Sequence, residues 1–280
     1  MNKFGGDWTK IKIEILVEYA KAYLKIMNER SYYKLLYFDG FAGSGFIVKD
    51  KKVSVDITIG AARRIIEISK PRPFDRYYFV ELDPVNFELL EKNTKKAFPK
   101  KIIHTVCEDC NKKIIDLANY LRDPKNKNVR TLAYIDPCGM QVEWRSIENL
   151  RGLPVDMWIL VPTGLGVTRL LKSNGQISDS WMERLEKFLG LTRKEIEKKF
   201  YTKATAQTLF GEETNIVKIL NTVKISAEIY KERLKEVFKF VSLPYELRNS
   251  QNSVMYHLFL ASNNKSAVKI GNDIVKKYNQ

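Results

Sequence analysis

Lys34-Leu35-Leu36-Tyr37-Phe38-Asp39-Gly40-Phe41-Ala42-Gly43-Ser44-Gly45 is the stretch that decides the fold. Its first six residues predict a buried strand, apolar along its length and ended by an acid. The next six predict a glycine turn, because a backbone without Cβ atoms takes unusual φ/ψ values and approaches a ligand closely. In an open α/β sheet the ligand crevice lies outside the carboxyl ends of the strands, and this turn falls there. The spacing is G-x-x-G-x-G, which differs from the G-x-G-x-x-G of dinucleotide sites.

Outward from this stretch, strands and helices alternate. Ile11, Ile15, Leu16, Tyr19, Tyr23, Leu24 and Met27 recur at helical spacing and predict an amphipathic helix over 8–28, covering one side of the sheet or the mouth of the site. After the strand 34–39, a helix is expected at 57–69, a second strand at 76–81 and a helix at 84–97 opened by Pro84. Strand 102–106, helix 111–122, strand 131–136, a helix near 143–150 and strand 155–161 continue the pattern. Such alternation argues for a parallel, doubly wound sheet. From 166 to 241 the pattern reads as helical throughout (166–172, 178–189, 193–200 and 213–241), an insertion or cap. Strands at 245–248 and 255–261, separated by Asn249-Ser250-Gln251-Asn252, predict an antiparallel hairpin, and a helix over 265–277 follows. The domain reading is one α/β unit from 1–165 and 242–280, with 166–241 inserted.

The chain has 280 residues and a formal net charge of +15. Its 44% hydrophobic and 29% charged residues are those of a soluble globular protein. No apolar run approaches the roughly 18–20 residues needed to cross a bilayer, and the first residues lack the apolar core of a signal peptide. The expectation is a cytoplasmic protein without a membrane partner. A basic balance favours a polyanion. Residues 92–130 carry eleven Lys/Arg against four Asp/Glu, but they lead into strands and so fall at the sheet end opposite the crevice. That cluster serves solubility or a distant nucleic-acid backbone. By strand direction, Lys49, Lys51, Lys52, Arg145 and Arg248, with Arg169 in the insertion, fall near the crevice and are the substrate-binding candidates.

Acids stand at the carboxyl ends of the strands. Asp39 ends the first, Glu81 the second and Asp136 the fourth, while Asp109 follows the third by three residues. An acid at the end of the second strand can accept from both hydroxyls of a ribose, and Asp109 can accept from an adenine amino group. Each acid alone reads as a helix N-cap or a satisfied strand end, but four at consecutive strand ends of the crevice side point to a bound nucleoside. The cofactor-site candidates are therefore Asp39, Phe41, Gly43, Ser44, Gly45, Glu81 and Asp109. Cys107 and Cys110 form C-x-x-C, but two strands separate them from Cys138, at about 4.8 Å per strand. They read as semi-buried thiols, no metal site is expected, and His257 reads as structural.

Asp39-Gly40-Phe41-Ala42-Gly43-Ser44-Gly45 resembles motif I of S-adenosylmethionine-dependent methyltransferases, particularly those acting on nucleic acids. In amino-methyltransferases the position of Asp136-Pro137-Cys138-Gly139 carries Asp/Asn-Pro-Pro-aromatic, which holds the target amine and stacks on a flipped base. Asp136 and Pro137 are thus the catalytic candidates, with Cys138 and Gly139 departing from the pattern. More widely, the chain resembles the three-Cys-motif partner proteins, a methyltransferase-like family. The resemblance covers most of the chain: Trp8-Thr9-Lys10 and the following helix, Tyr37–Gly45, Phe79-Val80-Glu81, Leu132–Met140 with Trp144, and Tyr256–Ser262. The family's Gly-Ser-Pro is replaced here by Val55-Asp56-Ile57-Thr58. The resemblance implies a Rossmann-like methyltransferase fold, S-adenosyl-L-methionine as cofactor and a protein partner encoded by a neighbouring gene. The preferred expectation is methyl transfer to a DNA or RNA base. Its rival is a non-catalytic or cofactor-binding partner subunit.

Overall fold

The computed structural model describes residues 7–44, 46–47, 58–208 and 211–279. Helix α1 spans Asp7–Asn28 and strand β1 Lys34–Asp39; short strands β2 (Phe46–Ile47) and β3 (Thr58–Ile59) pair with each other. There follow α2 (Ala61–Ile66), β4 (Arg76–Glu81), α3 (Pro84–Ala97), β5 (Ile103–Cys107), α4 (Cys110–Arg122), β6 (Val129–Ile135), α5 (Trp144–Glu148) and β7 (Val155–Val161). A π-helical turn at Thr163–Val167 leads into α6 (Thr168–Leu170), α7 (Asp179–Leu189) and α8 (Arg193–Phe200). The chain continues through β8 (Tyr201–Thr208), β9 (Gly211–Lys218), α9 (Thr222–Val237), β10 (Phe240–Val241), β11 (Tyr245–Arg248), β12 (Val254–Ser262) and α10 (Lys265–Tyr278).

Five parallel strands run in the order β5-β4-β1-β6-β7, and β12 joins β7 antiparallel. Both β10 and β11 pair antiparallel with β12. This is the doubly wound, mostly parallel sheet that the alternation predicts, with the antiparallel hairpin at its far side. Alternate residues of each strand feed two cores. Tyr37, Tyr77, Phe79, Leu132, Tyr134 and Trp158 pack under α1, α2 and α10. Leu36, Phe38, Ala133, Ile135, Met157 and Ile159 pack under α4, α5 and the helices after β7. Because both faces are covered, the central strands are apolar at nearly every position.

Two local readings differ from the structure. The helix expected over 57–69 is confined to Ala61–Ile66, because Thr58–Ile59 pairs with Phe46–Ile47 instead. The segment 166–241 holds its helices, but β8 and β9 form a hairpin where helix was expected to begin at 213. Thr202, Lys203, Ala204 and Thr205 are all exposed, as are Asn215 and Ile216. Consecutive exposed residues put both faces of this part of the ribbon in water, and it shows no apolar alternation to read. The following helix starts at Thr222, after Asn221 in the left-handed region (φ 61°).

Trp144 anchors the inserted helices. Its ring is fully buried, meets Tyr230 edge-on at 5.7 Å and lies beneath the Arg233 guanidinium at 4.6 Å. Gly190 (φ +64°) closes α7 directly against it; a Cβ there would stand 2.1 Å from the indole. The apolar residues of α7, α8 and α9 therefore belong to the same core as α4 and α5. Among the described residues no helix is long and apolar enough to cross a membrane.

Candidate functional site

The carboxyl ends of β1, β4 and β6 meet at one edge of the sheet. The chain leaves β1 still in register, with the Gly40 N–H donating to the Tyr134 carbonyl at 2.9 Å. It then crosses toward β4, where the Ala42 N–H donates to the Val80 carbonyl at 3.0 Å. The Gly43 N–H reaches the Glu81 carboxylate at 2.8 Å, and the other Glu81 oxygen accepts from the Asp83 N–H at 2.9 Å. Two of the glycines are required for different reasons. Gly40 is packed so closely that a Cβ would lie 2.5 Å from the Cys110 sulfur. Gly43 is left-handed (φ +61°) and has no described neighbour within 4 Å of where its Cβ would be, so its constraint is conformational.

Asp39 is 1% exposed. One of its oxygens accepts from the Phe41 N–H at 3.2 Å and the other from the Tyr37 hydroxyl at 3.3 Å. Burial pushes its pKa up to about 7; these hydrogen bonds oppose the rise, while the charges of Asp136 and Glu81 add to it. Beside it, Asp136 accepts from the Tyr134 hydroxyl at 2.9 Å. Lys12 of α1 donates to both Asp136 oxygens, at 2.7 and 2.6 Å. The same ammonium lies 5.2 Å from the centre of the Trp8 ring, so indole and carboxylate flank one cation. Trp8 stacks on Tyr256 at 5.6 Å, and the Tyr256 hydroxyl donates to the Cys138 carbonyl at 3.4 Å. Burial raises the pKa of the Cys138 thiol, and the neighbouring Asp136 adds to the rise.

The site candidates take different places. Asp39, Phe41, Gly43, Glu81 and Asp136 surround the turn, with Ser44 half-buried on it and Pro137 buried behind Asp136. Asp109 caps α4, accepting from the Asn111 and Lys112 N–H groups. Arg145 is exposed on α5. Arg248 lies at the end of β11, ion-paired with Glu246 and donating to the Asn252 carbonyl at 2.7 Å. Arg169, on α6, is close enough to Tyr256 to act electrostatically on its hydroxyl. Gly45, Lys49, Lys51 and Lys52 lie outside the described residues. Cys107, Cys110 and Cys138 are free thiols, and no metal-holding cluster occurs among the described residues. His257 is buried, with its Nδ1 2.8 Å from the Thr163 hydroxyl.

Lys12 and Trp8 are the site residues that the motifs do not indicate. Lys12 is one turn before Leu16 on the buried face of α1 and is only 8% exposed. A lysine on an apolar stripe needs a counter-ion, and this was the available signal. Trp144, five residues after Gly139 of the Asp136 motif, is committed to the core instead. Among the described residues, none stands within 4 Å of where a Gly139 Cβ would be.

No protein-family model matches the chain, and no curated protein does. Solved structures do. Trm1 from Pyrococcus horikoshii, in complex with S-adenosyl-L-methionine, superposes with a TM-score of 0.51 at 12% identity over 97% of this chain and 59% of that one. The chain thus spans less than two thirds of Trm1. A Legionella pneumophila protein, LPL1258, gives 0.46 at 18% identity over 93% and 98% of the two chains. An rRNA methylase from Streptococcus thermophilus gives 0.33 at 10% identity over 75% and 95%. The sheet order and the likeness to Trm1 make the fold the Rossmann-like α/β fold of the methyltransferase type.

Proposed function

We propose that the chain is an S-adenosylmethionine-dependent methyltransferase acting on a base of a nucleic acid. The observation that carries the reading is the glycine turn bonded through Gly43 to Glu81, at the sheet end where Asp39 and Asp136 also lie. Among the described residues, Asp39, Glu81 and Asp136 lie there with one lysine, Lys12, which is paired with Asp136, and this excess of acid suits a ligand with positive charge. The residues fit the cofactor in this respect, and Trm1, which shares the fold, was solved with it. When bound, the cofactor would supply an electrophilic methyl group on a sulfonium sulfur. Glu81 would accept from the ribose hydroxyls while still holding the turn. Asp39 would answer the cofactor's positive charge. Asp136 and the carbonyls beside Pro137 would orient the acceptor amine, sharing the carboxylate with Lys12. The basic balance of the chain favours a nucleic acid as acceptor.

A second reading is supported by the same residues. Lys12 donates to both Asp136 oxygens, and Gly139 stands where an aromatic residue would stack on a base. Both features suit a non-catalytic, methyltransferase-like partner subunit. Membership of the three-Cys-motif partner family, with its neighbouring-gene partner, rests on the sequence motifs alone, and a cytoplasmic setting on the composition of the chain.

Calorimetry with adenosylhomocysteine tests the cofactor reading. Glu81→Ala is expected to weaken binding by about 1.5–3 kcal/mol, the size of lost charge-assisted hydrogen bonds. Absence of heat with the wild type, or an unchanged affinity in the variant, would sink it. A tritiated-methyl assay over DNA, ribosomal RNA and transfer RNA pools then separates the two readings. Asp136→Ala is expected to abolish incorporation by protein that still folds and binds the cofactor. No incorporation by cofactor-binding wild-type protein would select the partner subunit.

A further inference from the structure

A cleft of about 280 Å³ opens at the amino ends of the strands, away from the acid cluster, between α4 and strands β1, β4 and β5. Strand register sets Phe38 beside Tyr78 and Tyr78 beside His104 on one face of the sheet. Their rings follow that row. Phe38 and Tyr78 stack with centroids 5.8 Å apart and planes within 7°, and His104 is 6.3 Å from Tyr78. Helix α4 covers Phe38 but leaves Tyr78 half-buried and His104 exposed, so the row ends in an accessible aromatic surface. Leu117 and Tyr120 of α4 form the facing wall.

The charges at the mouth do not cancel. Asp75 is held by Arg72 at 2.9 Å and by the Leu35 N–H at 2.7 Å, and Asp116 is held by Lys113 at 3.1 Å. Among the described residues, Lys34 and Arg76 have no carboxylate partner; Arg76 makes only a 3.5 Å contact with the Tyr120 hydroxyl. The cleft therefore combines an aromatic floor with two uncommitted cations. Its volume of about 280 Å³ falls just below the ~300–1,000 Å³ usual for small-molecule sites, which suits a small ligand.

We propose that this cleft is a second binding site, for a nucleotide, whose base stacks beside Tyr78 while its phosphate meets Arg76 and Lys34. Aromatic stacking with a basic rim is the chemistry by which single nucleotides are held with little base preference. The site is at the opposite end of the sheet from the crevice, so it stands or falls independently of the methyltransferase reading. A free nucleotide and a nucleotide within a strand share the chemistry.

Titration with uridine 5′-monophosphate tests the proposal, because an adenine nucleotide would also suit the crevice at the other end. Arg76→Gln and Lys34→Gln, both at exposed positions, are each expected to weaken binding by about tenfold. Uridine, without the phosphate, is expected to bind about tenfold more weakly than the monophosphate. Tyr78→Leu keeps an apolar side chain but removes the ring, and is expected to cost about fivefold or more. Adenosylhomocysteine affinity should be the same in Arg76→Gln as in the wild type. An oligouridylate that competes with the monophosphate and weakens equally in the variants assigns the cleft to a strand. Monophosphate binding without competition assigns it to a free nucleotide. If neither ligand binds, or if both bind equally well to wild type and variants, the proposal is overturned.

Discussion

Lys12→Met is expected to lower the unfolding free energy by about 3 kcal/mol, because it leaves the Asp136 carboxylate without its partner in a mostly buried site. The two side chains are 10% and 16% exposed, and their closest approach is 2.6 Å. Asp136→Asn should cost a similar amount, since it strands the ammonium on the apolar face of α1. The double variant should recover most of the loss. Methionine fills the lysine's path along the helix, and the amide oxygen that replaces the carboxylate can still accept from the Tyr134 hydroxyl. Urea denaturation of the four proteins closes the cycle. Single losses below about 0.5 kcal/mol, or a double variant that simply adds them, would place the pair among solvated surface bridges. The cycle also bears on function. Asp136 is offered as the holder of an acceptor amine, yet Lys12 already uses both of its oxygens. Helix α1 is anchored by Ile15, Leu16, Tyr19 and Leu24 in the core, so the lysine is not free to withdraw with its helix. An acceptor must share the carboxylate with an ammonium, and this is a stricter requirement than the Asp-Pro motif alone imposes.

The elements that build the sheet were legible because both faces of each central strand are buried, which turns Lys34–Asp39, Arg76–Glu81 and Val155–Val161 into short apolar runs between turns. The convergence of Asp39, Glu81 and Asp136 followed from strand direction alone, since parallel strands present their carboxyl ends at one edge. The hairpin β8–β9 was not legible, because a ribbon exposed on both sides carries no apolar period. Lys12 showed only that it needs a counter-ion. Its partner is 124 residues away, and no local pattern identifies a contact made through the packing of α1 on the sheet. Asp109 shows the limit of reading acids at strand ends. It accepts from the first N–H groups of α4, a role that an N-cap and a ligand-binding carboxylate advertise with the same residue at the same place. The arginines at the crevice end were placed by strand direction, but Arg248 spends its guanidinium on Glu246 and the Asn252 carbonyl.

Asp39→Asn is expected to stabilise the unliganded protein by about 2–4 kcal/mol at pH 8 and to change it little at pH 4. The carboxyl group is fully buried, and its pKa rises from an ordinary 3.8 to about 7. Burial is the main cause, with the charges of Asp136 and Glu81 adding to it. Between pH 4 and 7 the native protein therefore binds a proton that the unfolded chain has released. Stability then falls as pH rises through this window and levels off above it. A shift of this size corresponds to roughly 4 kcal/mol, from which the lost charge-assisted bonds to the Phe41 N–H and the Tyr37 hydroxyl subtract in the variant. Denaturation of wild type and variant at several pH values isolates the difference from all other titrating groups. A difference that stays flat from pH 4 to 8 would show that Asp39 is ionised throughout. The proposed cofactor gives the strain a use. A sulfonium and an ammonium both favour the charged carboxylate, so binding near pH 6.5 should release up to one proton. Calorimetry in two buffers of different ionisation enthalpy reads that release directly. It should disappear in Asp39→Asn along with part of the affinity, and release that persists in the variant would assign the proton to another group.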